Sequence, residues 1–156
     1  MNYAQGSTIA AEDRERFREL ISQICQNENA LRMKGFRQHG SVSTYQHCIR
    51  VAWRSFCLNL QLHAGSDECA LVRGAFLHDY YLYDWHNAEN KGHATNHPCI
   101  AEQNAAIDFD LSDKERNIIA AHMWPLPLTR ISTSREGWIV CLADKLCSLY
   151  ETLFLR

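Results

Sequence analysis

Apolar positions recur at helical spacing along almost the whole chain. From Glu12 to about Lys34, Phe17, Leu20, Ile21, Ile24 and Leu31 fall on one face of a charged segment, which predicts a covering helix. Gly35 to Gly40 breaks the pattern. A second helix is expected from about Ser43 to Leu62, with His47, Val51, Leu58 and Leu62 along one stripe and Cys48, Ala52 and Phe56 beside it. Gly65 ends it, and Ser66 suits the N-cap of a third helix from Asp67 to about Tyr80. Small residues on that helix, Ala70, Gly74 and Ala75, predict close packing in the middle of a bundle. The polar stretch from Tyr83 to Asn96, which contains Gly92, reads as a long loop. A fourth helix follows Pro98 through Ile100, Ala101, Asn104, Ala105 and Ile107. Ser112 and Glu115 form a capping box opening a fifth helix that ends near Met123, where Pro125 and Pro127 stop it. The last helix runs from Glu136 to about Phe154. Strand signals, at Val42 to Tyr45 and Tyr80 to Tyr83, are too short to demand a sheet. The expected fold is all-α, a single-domain bundle of about six helices.

Composition narrows the class. The 156 residues are 46% hydrophobic and 22% charged, an ordinary globular mixture for one domain. Sixteen basic against eighteen acidic side chains give a net charge of −2, so no nucleic-acid duplex held by bulk electrostatics is expected. Met1 to Ala11 is polar and lacks the apolar core of a signal peptide. No run of about 18 apolar residues is present, so no membrane span is expected. The seven cysteines are odd in number, scattered and without a Cys-x-x-Cys pair, which suits buried thiols in a reducing cytoplasm.

Eight histidines then draw attention to chemistry. His47 lies on an apolar stripe. His78 and Asp79 end the run Gly74-Ala75-Phe76-Leu77. Asp144 follows Trp138-Ile139-Val140-Cys141-Leu142-Ala143, where an unpartnered carboxylate would be costly. His122 ends a helix burying Ile118 and Ile119, and His97 precedes Pro98. Taken singly, each is more often structural than functional. Together they offer the nitrogen and oxygen ligands that suit iron, manganese, zinc, cobalt or magnesium. The two oxygens of Asp79 could bridge two ions, and a metal-activated water would serve as nucleophile.

The order His47, His78-Asp79, Asp144 resembles the signature of the HD-domain metal-dependent phosphohydrolases. Tyr45-Gln46-His47-Cys48-Ile49-Arg50-Val51-Ala52 is similar to that family's first ligand helix, and Leu71 to Asp79 to its central one. Val140-Cys141-Leu142-Ala143-Asp144-Lys145 resembles its closing Ala-Asp-Lys helix. The likeness spans about Gly40 to Glu151. It implies an all-α HD-type catalytic domain over 41–156, with 1–40 as a covering helix and turn of the same domain. It also implies that His47, His78, Asp79 and Asp144 hold a first metal. His97 and His122 stand where the two-metal branch places the ligands of a second, with Asp79 bridging. The chain departs from that family in lacking the Gly-Tyr-Pro signature of the cyclic-dinucleotide enzymes. It also replaces Ile-Gly-Lys after His-Asp with Tyr80-Tyr81-Leu82-Tyr83-Asp84-Trp85-His86.

The implied activity is hydrolysis of a phosphomonoester or phosphodiester of a nucleotide or related small molecule by metal-activated water. Asp79 would act at the metals. Lys145 is open between a salt bridge and a phosphate contact. His93 could contact phosphate or pass a proton to the leaving group, or be a plain loop histidine. Arg73 is expected in an internal ion pair. Lys91, Arg130 and Arg135 are candidate rim cations for the substrate, and Trp124 a candidate stacking surface. The alternatives are a di-iron oxygenase on the same ligands and a binding module without catalysis.

Overall fold

A computed structural model describes residues 9–87 and 92–155. Seven α-helices account for most of it: α1 (Ala11–Cys25), α2 (Glu28–Leu31), α3 (Thr44–Gln61), α4 (Glu68–Leu77), α5 (His93–Asp108), α6 (Asp113–Ala121) and α7 (Arg135–Phe154). A 3-10 turn, Arg32–Gly35, and an antiparallel hairpin, β1 (Arg37–His39) with β2 (Val42–Ser43), join α2 to α3. The all-α bundle expected from the periodicity is therefore the fold.

α4 is the central helix, packed on α1, α3, α5, α6 and α7. Its small residues permit this. A Cβ at Gly74 would lie 2.8 Å from Cγ2 of Ile118, so α6 approaches α4 as closely as only glycine allows. Around it, Val51, Phe56, Leu71, Phe76, Leu77, Ile118, Ile119 and Val140 form one core with Phe17, Ile21 and Ile24 of α1. The expected covering helix thus buries its apolar face there, and Arg73 pairs with Glu115 across α4 and α6.

Several boundaries differ from expectation, each for a local reason. The first helix stops at Cys25 because the Asn27 side chain accepts from the N–H of Asn29 and starts a separate turn. Asp67, not Ser66, caps α4, its carboxylate accepting from the N–H of Ala70. α5 begins at His93, before Pro98. Gly92, at φ 82°, turns the chain into it. The expected loop over 83–96 thus ends early, and its residues 88–91 lie outside the described ones. Val42 does pair in a strand, but with the preceding segment, and helix α3 already begins at Thr44. No described helix is long and apolar enough to cross a membrane. All seven cysteines are free.

Candidate metal centre

Four helix ends and one helix middle converge on a buried cluster. A capping box between Ser43 and Gln46 fixes the start of α3 and sets His47 in its first turn. His78 and His122 are the C-cap residues of α4 and α6, so both rings emerge where those helices stop. Asp79 follows directly. His97 lies in the second turn of α5, and Asp144 in the middle of α7. All six are buried, none more than 6% exposed.

The histidines share one orientation. Each donates from Nδ1: His78 to the Ala75 carbonyl at 2.7 Å, His97 to that of His93 at 2.8 Å, His122 to that of Ile119 at 2.8 Å. His47 donates to Oε2 of Glu151 at 2.9 Å. Every Nε2 therefore faces inward, toward Asp79, Asp144 and the other rings. Asp79 divides them. Its Oδ2 is 3.3 Å from Nε2 of His78 and 3.8 Å from that of His47. Its Oδ1 is 3.2 Å from Nε2 of His97 and 3.5 Å from that of His122. Asp144 Oδ1 completes the first group, 3.2 Å from His47 and 3.6 Å from His78.

Such a cluster could hold a cation. Nε2 of His78 and Oδ1 of Asp79 are buried and make no hydrogen bond, since their near neighbours are badly aligned. Nε2 of His97 and of His122 are 2.9 Å apart, although Nδ1 already carries the proton of each ring. The residues thus fit a metal. His47, His78 and Asp144 form one group able to hold an ion, and His78, Asp79 and His122 a second, with all ligand atoms of each group within 4.8 Å.

Without a metal, protons must supply the positive charge. Burial disfavours a charged His47, but Asp144 and Glu151 outweigh it and push the ring up to about 10. His78 is also raised, against burial, chiefly by Asp79. Burial, helped by the charge on His78, pushes His122 down to about 3. Burial would raise Asp79 and Asp144, but the facing histidines hold both well below the usual carboxylate range.

A supporting layer orients the ligands. Glu151, fully buried, also accepts from Arg50. Gln38 of β1 donates to Oδ2 of Asp79 at 2.6 Å, its own carbonyl held by Tyr81 and Thr44. Ser148 donates to Asp144 at 3.1 Å. Sequence reasoning missed these three. Glu151 and Ser148 were detectable, lying seven and four residues after Asp144 and so on its face of α7. Gln38 carried no such signal, because a hairpin delivers it.

The other expected site residues divide. His93 stacks on His97 with centroids 4.4 Å apart and on Trp85 at 5.0 Å, and its Nδ1 is 2.8 Å from the Tyr83 hydroxyl. Burial, and then the nearness of His97, pushes it down to about 4, so it is neutral at physiological pH. It opens α5 and is not a loop residue. His39 stands edge-on to His47, a further ring the sequence reading passed over. Lys145, open between a salt bridge and a phosphate contact, is held by protein acceptors. Its amine donates to the carbonyls of His122 and Cys141 and to the Cys141 sulfur. Trp124 packs edge-on to Trp138 at 5.0 Å. Arg130 has no contact with the cluster among the described residues, its N–H closing a turn onto Pro127. Arg135 does not rim the site. It opens α7, nine residues or about 13 Å along the axis from Asp144, and donates to the Ala64 carbonyl beyond the far end of α3. Lys91 lies outside the described residues.

Compared with protein-family models, curated proteins and solved structures, the chain gives no match. What fold and site define is an all-α protein with buried His/Asp groups able to hold a metal ion.

Proposed function

We propose that the chain is a metal-dependent phosphohydrolase of the HD-domain superfamily, acting on a small phosphorylated molecule with two divalent ions. The observation that supports this most directly is the divided carboxylate of Asp79. One oxygen faces His47 and His78, and the other faces His97 and His122. That is the arrangement a carboxylate bridging two ions requires.

In this reading His47, His78 and Asp144 would hold one ion and His97 and His122 the other, with Asp79 shared between them. When bound, the ions supply Lewis acidity, lowering the pKa of coordinated water and offsetting phosphoryl charge. The chain's own contribution is orientation. Three backbone carbonyls and Glu151 hold each Nδ1 proton, so Nε2 is the nitrogen that would face an ion. Gln38 holds Asp79 against rotation about its carboxyl group. With the Tyr83 hydroxyl donating to Nδ1, neutral His93 carries its proton on Nε2 and can donate a hydrogen bond to a phosphoryl oxygen. Lys145 acts instead as a brace on the end of α6 that carries His122.

The test is metal content per chain, measured on protein purified without chelator or affinity tag, with phosphate release assayed on mono- and diesters and oxygen uptake followed in parallel. About two ions per chain with phosphate release supports the proposal. A single ion refutes the two-metal site. No ion even after reloading refutes the metal centre. Oxygen uptake without phosphate release would replace hydrolysis by di-iron oxygen chemistry.

A further inference from the structure

The outer face of α7 is unusually apolar for a surface. Trp138, Leu142, Leu146, Leu149, Tyr150, Leu153 and Phe154 are each 39–69% exposed. Their opposite numbers on the same helix, Ile139, Val140, Ala143, Asp144, Cys147 and Glu151, are buried. At about 100° per residue, Trp138, Leu142, Leu146, Leu149 and Leu153 fall within an arc of about 80°. The helix thus has two faces, one building the core and the metal centre, the other largely exposed among the described residues, with Trp138 at its start packed edge-on against Trp124.

We infer that this face is a homodimer interface, in which α7 pairs antiparallel with α7 of a second copy across a two-fold axis. This goes beyond the proposed function and does not depend on it. Two observations select a second copy over another occupant. The first is extent. Seven large side chains, each 39–69% exposed, run from Trp138 to Phe154 over about 24 Å of helix, a continuous apolar stripe and not the single scattered apolar residues of an ordinary surface.

The second is the spacing. Leu142, Leu146, Leu149 and Leu153 are separated by four, three and four residues. This is the alternation of a coiled-coil seam. It also reads the same in both directions. A two-fold axis through the middle of the seam sets Leu142 opposite Leu153 and Leu146 opposite Leu149, so the surface is complementary to itself, as a two-fold contact demands. No acidic or basic side chain interrupts the seam. Glu151 is buried on the inner face, and the amine of Lys145 is tied back to the His122 and Cys141 carbonyls.

Sedimentation equilibrium of the full chain across a micromolar concentration series tests this, against the monomer mass of 18.0 kDa. Wild type is expected at twice that mass. Leu146→Glu with Leu149→Glu is expected to raise the dimer dissociation constant at least about 100-fold, because both side chains sit at the centre of the interface. Both point outward, so helical circular dichroism and metal content should not change. A wild-type chain that stays monomeric overturns the inference whatever the variant does. A folded double variant that remains dimeric overturns it equally, since another surface would then join the copies. If the double variant does not fold, Leu149→Gln replaces it, with weakened dimerisation expected and unchanged dimerisation refuting the seam.

Discussion

Replacing Glu151 by Gln separates the orienting role of this residue from mere space filling. The side chain keeps its volume, and its amide oxygen can still accept from Nδ1 of His47. What disappears is the charge that His47 and Arg50 now share. Carboxylate partners of metal-bound histidines typically contribute 10–100-fold in affinity, because they fix the tautomer and raise the basicity of the opposite nitrogen. Glu151 belongs at the upper end of that range. It is fully buried, so no water replaces it, and its second partner Arg50 would be left facing an amide. An affinity loss of about 30–100-fold, or about 2–2.7 kcal/mol, is therefore expected for one ion.

Of the two ligand groups, Glu151 bonds to the one that contains His47. The His97–His122 pair is anchored on backbone carbonyls that the change leaves alone. A titration with a competing chelator should thus show one weakened and one unaltered site, with the folded helical signal retained. Equal affinities for wild type and variant at both sites would refute the orienting role. Equal weakening at both would refute the division of the cluster into two ion positions.

The other predictions concern protons, ligands and packing. Metal binding near pH 7 should release protons, because His47 is held charged up to about 10 by Asp144 and Glu151 while an ion needs its lone pair. Affinity should then rise with pH toward that value. Calorimetry in buffers of different ionisation heat reads the release, and a heat independent of buffer refutes it. In the metal-free chain the raised His47 pKa stabilises the fold fully below its ordinary value of 6.5, and that contribution fades as pH rises toward about 10. The depressed Asp79 and Asp144 work oppositely, stabilising above their ordinary 3.8 and failing as pH falls further, so unfolding midpoints without metal should drop on both sides of neutrality. His97→Ala or His122→Ala should remove one ion and leave a folded protein; both ions retained in either variant refutes the second position. Gly74→Ala should destabilise by about 1–3 kcal/mol, as its methyl group meets Ile118, and an unchanged melting temperature would show that α4 and α6 separate freely.

The fold was largely legible because its main signals are local. Periodicity finds α3, α6 and α7, and the box at Ser112 and Glu115 forms as their spacing demands. The break after Cys25 was not legible, because an apolar pattern running on to Leu31 conceals a cap that depends on one backbone torsion at Asn27. Nor was the start of α5, since Pro98 reads as a boundary although its missing N–H is accommodated within the helix. In the site, the ligands were visible because each is a polar residue in an apolar setting. Their partners were not. Gln38 reaches Asp79 across 41 positions of sequence, and no local pattern encodes that contact. The cations were less legible for the opposite reason, being abundant residue types whose partners lie far away in sequence: Arg135 donates to the Ala64 carbonyl beyond α3, and Lys145 to the carbonyl of His122 at the end of α6.

The same open ends explain why so costly a cluster can sit inside this bundle. Helices α4 and α6 stop at His78 and His122, and each ring turns back to take a carbonyl of its own last turn. The carbonyl gains a donor, and the ring loses its freedom to choose a tautomer. One hydrogen bond thus serves both helix termination and ligand orientation, so positioning these two rings adds little to the cost of ending the helices. His47 cannot use this device, because it begins α3 and does not end it. It needs a carboxylate from elsewhere, and α7 provides Glu151 two turns beyond Asp144. α7 is for that reason the element on which the cluster depends most, with one carboxylate at the ions and another behind His47. Its outer leucines carry no such duty, which leaves them free to serve as a contact surface.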